Sequence, residues 1–140
     1  FGSESIKFIY LEKRDIKKEK EINIGYQKIS TNFFKSKIPS ESEVESAINY
    51  IEDELMRDKE LISKNEELIC MDRGLIEILG NKDSYTREEM EEMFTKYALL
   101  SMGQSHVYNK IEINHEKYAK LLVLREIMHH LNFKKITLVK

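Results

Sequence analysis

The sequence predicts an α/β chain: a mixed sheet that opens as an antiparallel hairpin and continues as parallel βα units, with helices on both faces. Three observations carry this. Residues 5–12 and 21–25 are short segments enriched in β-branched and aromatic side chains, close enough in sequence to pair as a hairpin. Residues 40–63 carry a long apolar stripe at helical spacing. The apolar segments 67–71 and 136–139 stand apart, separated by helical stretches, which is the spacing of right-handed crossover connections.

In chain order, the run Ile6-Lys7-Phe8-Ile9-Tyr10-Leu11 reads as the first strand. The charged residues 13–20 read as a solvated hairpin connection, and residues 21–25 as the second strand, with Ile22 and Ile24 on one face. Gly25 fits a strand end where the backbone turns sharply. Residues 26–35 suit a short helix that places Ile29 and Phe33 four apart. Pro39 and Ser40 then start the long helix, with Ser40 as N-cap and Glu43 completing a capping box. Its stripe is Val44, Ala47, Ile48, Ile51, Leu55 and Ile62. Leu68, Ile69 and Cys70 form a short buried strand. A helix over residues 74–79 stops at Gly80-Asn81, and another, capped by Ser84 or Thr86, runs to Met102. Asn114 caps a last long helix ending near Asn132, and residues 136–139 close as a strand. The expected core includes Val44, Ile48, Ile51, Leu55, Leu68, Cys70, Leu121, Leu122, Ile136 and Leu138.

Composition bounds the function classes. At 140 residues the chain fits one domain with one core. Hydrophobic residues at 41% and charged residues at 34% exclude a disordered or membranous chain. The 23 basic and 25 acidic side chains nearly cancel, which argues against nucleic-acid binding. The single cysteine excludes an internal disulfide framework and suits a reducing compartment, so the expected location is cytoplasmic. No apolar run reaches the roughly 18 residues of a membrane span, and the start shows no signal-peptide pattern.

The run Ile22-Asn23-Ile24-Gly25-Tyr26-Gln27-Lys28-Ile29-Ser30, followed by Phe33-Phe34 and by Pro39-Ser40 before a helix, resembles the exopolyphosphatase / guanosine pentaphosphate phosphohydrolase family. Members of that family show a small apolar-Gly-x-x-Arg-Leu-Thr run, an aromatic, a Pro step and a Glu-rich helix. The end of the chain is similar too, with a long helix, Leu131-Asn132-Phe133 and the strand Lys135-Ile136-Thr137-Leu138-Val139. The resemblance covers nearly all of residues 1–140 as one domain, the second (C-terminal) actin-like subdomain. It implies half of an actin-like, ribonuclease H-like fold.

The family's phosphate-binding residues carry over only in part. Its Asp-x-Gly-Gly-Gly-Ser-x-Glu loop, whose backbone N–H groups cradle phosphate, falls on the first residues here. Gly2 and Ser3 remain, Glu4 lies one place from the family glutamate's position at Ser5, and Phe1 stands where a glycine belongs. A second loop, Gly-Thr-x-Gly-Thr, falls on Met71-Asp72-Arg73-Gly74-Leu75, of which Gly74 matches. The family's Arg-Ala-Asp and later Gly fall at Lys117-Tyr118-Ala119 and Leu124. By family position the phosphate-binding candidates are therefore Gly2, Ser3, Glu4, Asp72, Arg73 and Gly74. No residue is assigned a catalytic role, no metal ligand is assigned, and no cofactor is expected in the isolated chain; the resemblance allows Mg²⁺ in an intact family member.

Other notable residues have plainer readings. Asp72-Arg73 suits a helix cap that bridges locally, because its carboxylate would repel an anion. His129 and His130 sit about 100° apart on a helix and do not converge on one metal. Cys70 reads as an inert buried thiol, and Met90, Met93, Met102 and Met128 as core filler. Arg87, Glu88, Glu89, Glu91 and Glu92 read as a solvated helix face, with negative charge near the N-terminus.

Two functions follow. In one, the chain is a wall of a phosphohydrolase cleft acting on polyphosphate or guanosine pentaphosphate, inactive without the other half of the actin-like cleft. In the other, it is a catalytically decayed actin-like module serving protein interaction or regulation. The family's loop-bearing central strand has no counterpart in these residues, so residues 5–12 and 67–71 either pair directly or leave a slot for a strand from another chain. The partner expected on that ground is a homodimer or the other half of the cleft, with neither nucleic acid nor membrane.

Overall fold

The computed structural model describes residues 1–64, 66–104 and 113–140. Two sheets and five helices are built from them. Strands β1 (Ile6–Glu12) and β2 (Asp15–Ile22) form an antiparallel hairpin; β3 (Leu68–Cys70), β4 (Ser84–Thr86) and β5 (Lys135–Leu138) form a second sheet in the order β3-β5-β4. The helices are α1 (Tyr26–Phe33), α2 (Glu41–Met56), α3 (Arg73–Leu79), α4 (Arg87–Ser101) and α5 (His115–His130). The mixed α/β architecture and its antiparallel opening are as expected.

Several local features differ. Residues 13–20 are not a connection. Glu12 pairs with Asp15 across a two-residue turn in which Lys13 (φ 50°) and Arg14 (φ 72°) both take the left-handed conformation. Turns of that kind usually carry Asn-Gly, and two long cationic residues give no such signal. The charged run Lys17 to Glu21 is therefore strand, with a one-residue register shift between Tyr10 and Leu11. Lys18 and Lys20 reach Glu60 and Asp58 at 3.0 and 2.9 Å, tying the hairpin to the short 3₁₀ turn Lys59–Leu61.

The capping box at α2 forms as its sequence implies: Ser40 Oγ accepts the Glu43 N–H at 3.2 Å, and Glu43 accepts the Ser40 N–H at 2.8 Å. Val44, Ala47, Ile51 and Leu55 are buried, while Ile48 is partly so. The helix stops at Met56 rather than near Ser63 because Asp58 turns extended, accepts the Glu60 N–H and takes Lys20 as its ionic partner. Leu61 then completes the core in the helix's place.

In the second sheet β3 runs parallel to β5, as expected, while residues 84–86, read from sequence only as a helix cap, form the additional strand β4, which runs antiparallel to β5. The register Ile69↔Thr137 puts Leu68, Cys70, Ile136 and Leu138 on the other face. That face meets the helices; Cys70, Ile136 and Leu138 are buried and Leu68 partly so. Ile69 is 49% exposed and Val139 48%, so Ile69 is not the buried residue that a continuous apolar run suggested. The sheet's outer side is open there.

At the centre stands α5, which packs against α1, α2, α3 and α4. Tyr118, Leu121, Leu122, Val123, Leu124, Ile127 and Met128 are all buried, giving a helix apolar on nearly every side, the condition of a fully surrounded helix. The Tyr118 ring stacks on Phe34 and Tyr97, with centroids 5.2 Å away in each case, and its hydroxyl meets Ser101 Oγ at 3.0 Å. One buried side chain thus joins α1, α4 and α5. Among the described residues no helix is long and apolar enough to cross a membrane.

Candidate functional site

The two loops singled out in the sequence meet. Residues 1–5 lead into β1, and Met71-Asp72 lead out of β3 into α3. The Phe1 backbone nitrogen lies 3.6 Å from Asp72 Oδ2. The segment that carries Gly2, Ser3 and Glu4 therefore meets the one that carries Asp72, Arg73 and Gly74 through Phe1 and Asp72, while Glu4 and Arg73 stay exposed.

The N-terminal segment is held from below by the start of α1. The Tyr26 N–H donates to Gly2 O at 3.2 Å, and the Gln27 and Lys28 N–H groups donate to Ser3 O at 3.0 and 3.1 Å. Gly25 N–H reaches Glu4 O at 3.0 Å. These are the groups that a helix N-terminus would otherwise offer an anion, and here the chain's own carbonyls take them. Gly25 has an ordinary extended backbone (φ −61°), so its role is not to bend. A β-carbon at Gly25 would run into Ser3 O and the Glu4 backbone, and the close approach is what requires glycine.

Asp72 caps α3 by accepting the Leu75 N–H at 2.7 Å, as expected, but its ionic contacts are with the Phe1 nitrogen and Lys120 rather than with Arg73, and its own N–H points at Cys70 Sγ at 3.4 Å. Burial pushes the Cys70 thiol up, outweighing the Asp72 N–H that favours the thiolate, in keeping with an inert buried cysteine.

One residue that sequence reading missed completes the junction. Lys120, from α5, places its ammonium 3.7 Å from Asp72 Oδ1 and 4.3 Å from the centre of the Tyr26 ring. It rests on Gly74, where a β-carbon would collide with it. The signal was present: Lys120 is the single charge in the run Tyr118-Ala119-Lys120-Leu121-Leu122-Val123-Leu124. Lys117, in the position of the family arginine, is exposed, and Leu124, in the position of the family glycine, is sealed in the core.

Elsewhere, His130 Nε2 is engaged with the buried Glu126 at 2.8 Å, and Glu126 also meets Arg125 at 2.5 Å. Arg125 reaches Glu91 at 3.0 Å, and Arg87 donates to Phe133 O at 2.7 and 2.9 Å. Arg87 and Glu91, expected on a solvated face, thus anchor α4 to α5 and to the turn after it. Met90 and Met128 are core as expected, whereas Met102 is 53% exposed. Among the described residues no group of three or more His, Cys, Asp or Glu could hold a metal ion. The junction's one half-buried carboxylate, Asp72, is already engaged by a lysine and a backbone N–H, so this donor set does not fit Mg²⁺.

A mixed α/β chain in which the N-terminal segment meets the loop before α3 beside a central helix is the class this geometry defines. The chain is similar to a Ppx/GppA phosphatase of Aquifex aeolicus, in the crystal structure of its type II variant, with TM-score 0.78 at 15% identity, over 99% of this chain and 51% of that one. A further structure of the Aquifex aeolicus family member gives TM-score 0.76 at 15% identity, covering 99% and 50%. An exopolyphosphatase-like protein gives 0.73 at 9%, covering 99% and 53%. The chain therefore has the fold of about half of a Ppx/GppA phosphatase, and spans about half the length of the structures it matches. No protein-family model matches the sequence, and no curated protein is similar to it.

Proposed function

We propose that this chain forms one wall of a phosphoanhydride-hydrolase cleft of the Ppx/GppA kind, taking polyphosphate or guanosine pentaphosphate, and is inactive by itself. The observation that carries this is the meeting, through Phe1 and Asp72, of the segment holding Gly2-Ser3-Glu4 with the one holding Asp72-Arg73-Gly74, where the family resemblance puts its phosphate loops. In the reaction a water oxygen bonds to the terminal phosphorus as the bridging P–O bond breaks, and the water's proton passes to a carboxylate. Such catalysis needs phosphate donors, a base and a positioned water together. On this reading the other half of the cleft supplies the base and most of the donors.

The test is phosphate release from both substrates in the presence of Mg²⁺. The expected outcome is background release by the 140-residue chain alone and measurable release once the first half of a family member is added. Robust turnover by the chain alone that disappears in Ser3→Ala or Glu4→Gln would overturn the inactive-alone reading.

The second reading, a decayed actin-like module that binds a partner, is favoured by the occupation of the α1 donors by Gly2 O and Ser3 O. Strand edges suit a partner on either reading. Among the described residues, the edge of β2 away from β1 carries Lys17, Lys18 and Lys20, as edges protected against pairing commonly do, whereas β1 and β3 are apolar and pair on one side only. β1 and β3 share no ladder, so the direct pairing of those two segments does not occur. An added strand, from the other half of the cleft or from a second copy in a homodimer, would meet an apolar edge. Sedimentation across a range of concentrations separates the two sources.

A further inference from the structure

Among the described residues, the β3–β5 pair is covered on one face only. Parallel ladders are normally buried on both faces, and their strands then read as continuous apolar runs. Leu68-Ile69-Cys70-Met71 is such a run, yet the helices cover only the side of Cys70, Ile136 and Leu138. Ile69, Met71 and Val139 stand on the other side, at 49%, 69% and 48% exposure. The register Ile69↔Thr137, and the Val139 N–H donating to Cys70 O at 2.9 Å, set Ile69 beside Thr137 and Met71 beside Val139. At the start of the strands the same offset sets Glu67 beside Lys135, both exposed, and Glu67 accepts the Thr137 hydroxyl at 2.8 Å. The open face is thus graded, from two opposite charges at one end to two apolar side chains at the other.

We propose that a second copy of this chain covers this face, stacking its own β3–β5 pair on it about a two-fold axis that runs along the strands. Because β3 and β5 are parallel, such an axis sets β3 of one copy over β5 of the other with no shift along the strands. Glu67 then meets Lys135 of the second copy, Ile69 meets Thr137, and Met71 meets Val139, and the symmetry makes each contact twice. A two-fold axis across the strands would instead lay the charged end of one copy on the apolar end of the other. Burial of Ile69, Met71 and Val139 supplies the attraction, and the Glu67–Lys135 contacts fix the orientation. The face is small beside the about 20–30 residues a side of a standard interface, so the dimer is weak and forms at high protein concentration. It uses a sheet face rather than a strand edge, and it owes nothing to phosphate binding.

The test follows the 140-residue chain from dilute to concentrated solution, by sedimentation and by the amide shifts of Ile69 and Thr137. The unaltered chain is expected to associate as concentration rises, with both amides shifting. Val139→Lys is expected to abolish association and leave the urea midpoint unchanged. β5 pairs on both sides, so this variant leaves the free edges of β1 and β3 as they are. If Val139→Lys does not fold, Met71→Lys, at a more exposed position of the same face, gives the same reading. Glu67→Lys and Lys135→Glu are each expected to self-associate about tenfold more weakly, because like charges then face each other twice. Mixed together, the two variants regain both opposite-charge contacts, and their hetero-pair is expected to form as tightly as the unaltered pair. Only contact between copies gives that recovery, since within each variant the like charges stay side by side. A chain that remains monomeric at the highest concentration, undiminished association in Val139→Lys, or a mixture that associates no better than its components would overturn the proposal.

Discussion

Helix α5 and the β1–β2 hairpin have opposite relations to their own sequences. The hairpin contains Ile6, Phe8, Ile9, Tyr10, Leu11, Ile16 and Ile22, yet only Ile6 and Ile22 are buried, and Leu11 and Ile16 are each 60% exposed. The sequence of α5 includes His115, Glu116, Lys117, Lys120, Arg125, Glu126, His129 and His130, yet the helix is the most enclosed element of the molecule. Local composition did not decide depth. The number of neighbouring elements did: α5 is covered by four helices, whereas the hairpin is buried only at its base, by Ile6 and Ile22, and tied further along β2 by the ion pairs of Lys18 and Lys20.

Truncation should separate the two regions most sharply. Leu124→Ala, at a site with no exposure, should destabilise the chain by about 2–5 kcal/mol, read from urea unfolding. A loss under 1 kcal/mol would mean that α5 is not the hub. Glu126→Ala tests the same helix through charge. With its carboxylate gone, Arg125 and His130 lose a buried partner, and a loss of about 3 kcal/mol is expected. Glu126→Gln should lose less, because the amide still accepts a hydrogen bond.

Between the extremes lies the start of α2. Ser40→Ala should cost about 1 kcal/mol. Its partner Glu43 adds a pH dependence. Burial works against the charged carboxylate, but hydrogen bonds from the Ser40 N–H and the Ser36 hydroxyl, and from the Lys35 and Ser36 N–H groups, outweigh it and hold Glu43 below its ordinary value. A depressed carboxylate stabilises the fold above its unfolded-state pKa and loses that stabilisation as pH falls through the folded value. The melting-temperature difference between the unaltered chain and Glu43→Gln should therefore be present at neutral pH and close in acid. A difference that persists unchanged into acid would assign the effect to shape rather than charge.

The smallest effect is expected at the hairpin tip. Leu11→Ala and Ile16→Thr should each change stability by less than about 0.5 kcal/mol. A larger loss would place a neighbour on that face. Asp58, held low first by its hydrogen bond from Lys20, sharpens the point, because Asp58→Asn should weaken the hairpin's attachment at low salt and much less at high salt.

The candidate junction was legible only as two segments of chain. Gly2, Ser3, Asp72 and Gly74 could be named from motif position, and the structure does bring their loops together. Lys120 and Tyr26 could not, since a lysine in an apolar helical run and a tyrosine opening a helix acquire a role only when α5, α1 and α3 are packed. The hairpin turn escaped for a local reason: Lys13 and Arg14 adopt left-handed backbones without the glycine or asparagine that announces one.

By itself the sequence determined the features whose physics is local: the Ser40–Glu43 capping box, the Asp72 and Asn114 caps, the stop of α3 at Gly80, and the periodic stripe of α2. Each depends on groups a few residues apart, and hydrogen-bond geometry leaves little choice. Only the tertiary structure decided which strands pair, that β4 opposes β5, that α2 yields to Asp58, and that a lysine of the central helix closes the loop junction. Those outcomes depend on groups tens of residues apart, and on which neighbour shields or balances each charge.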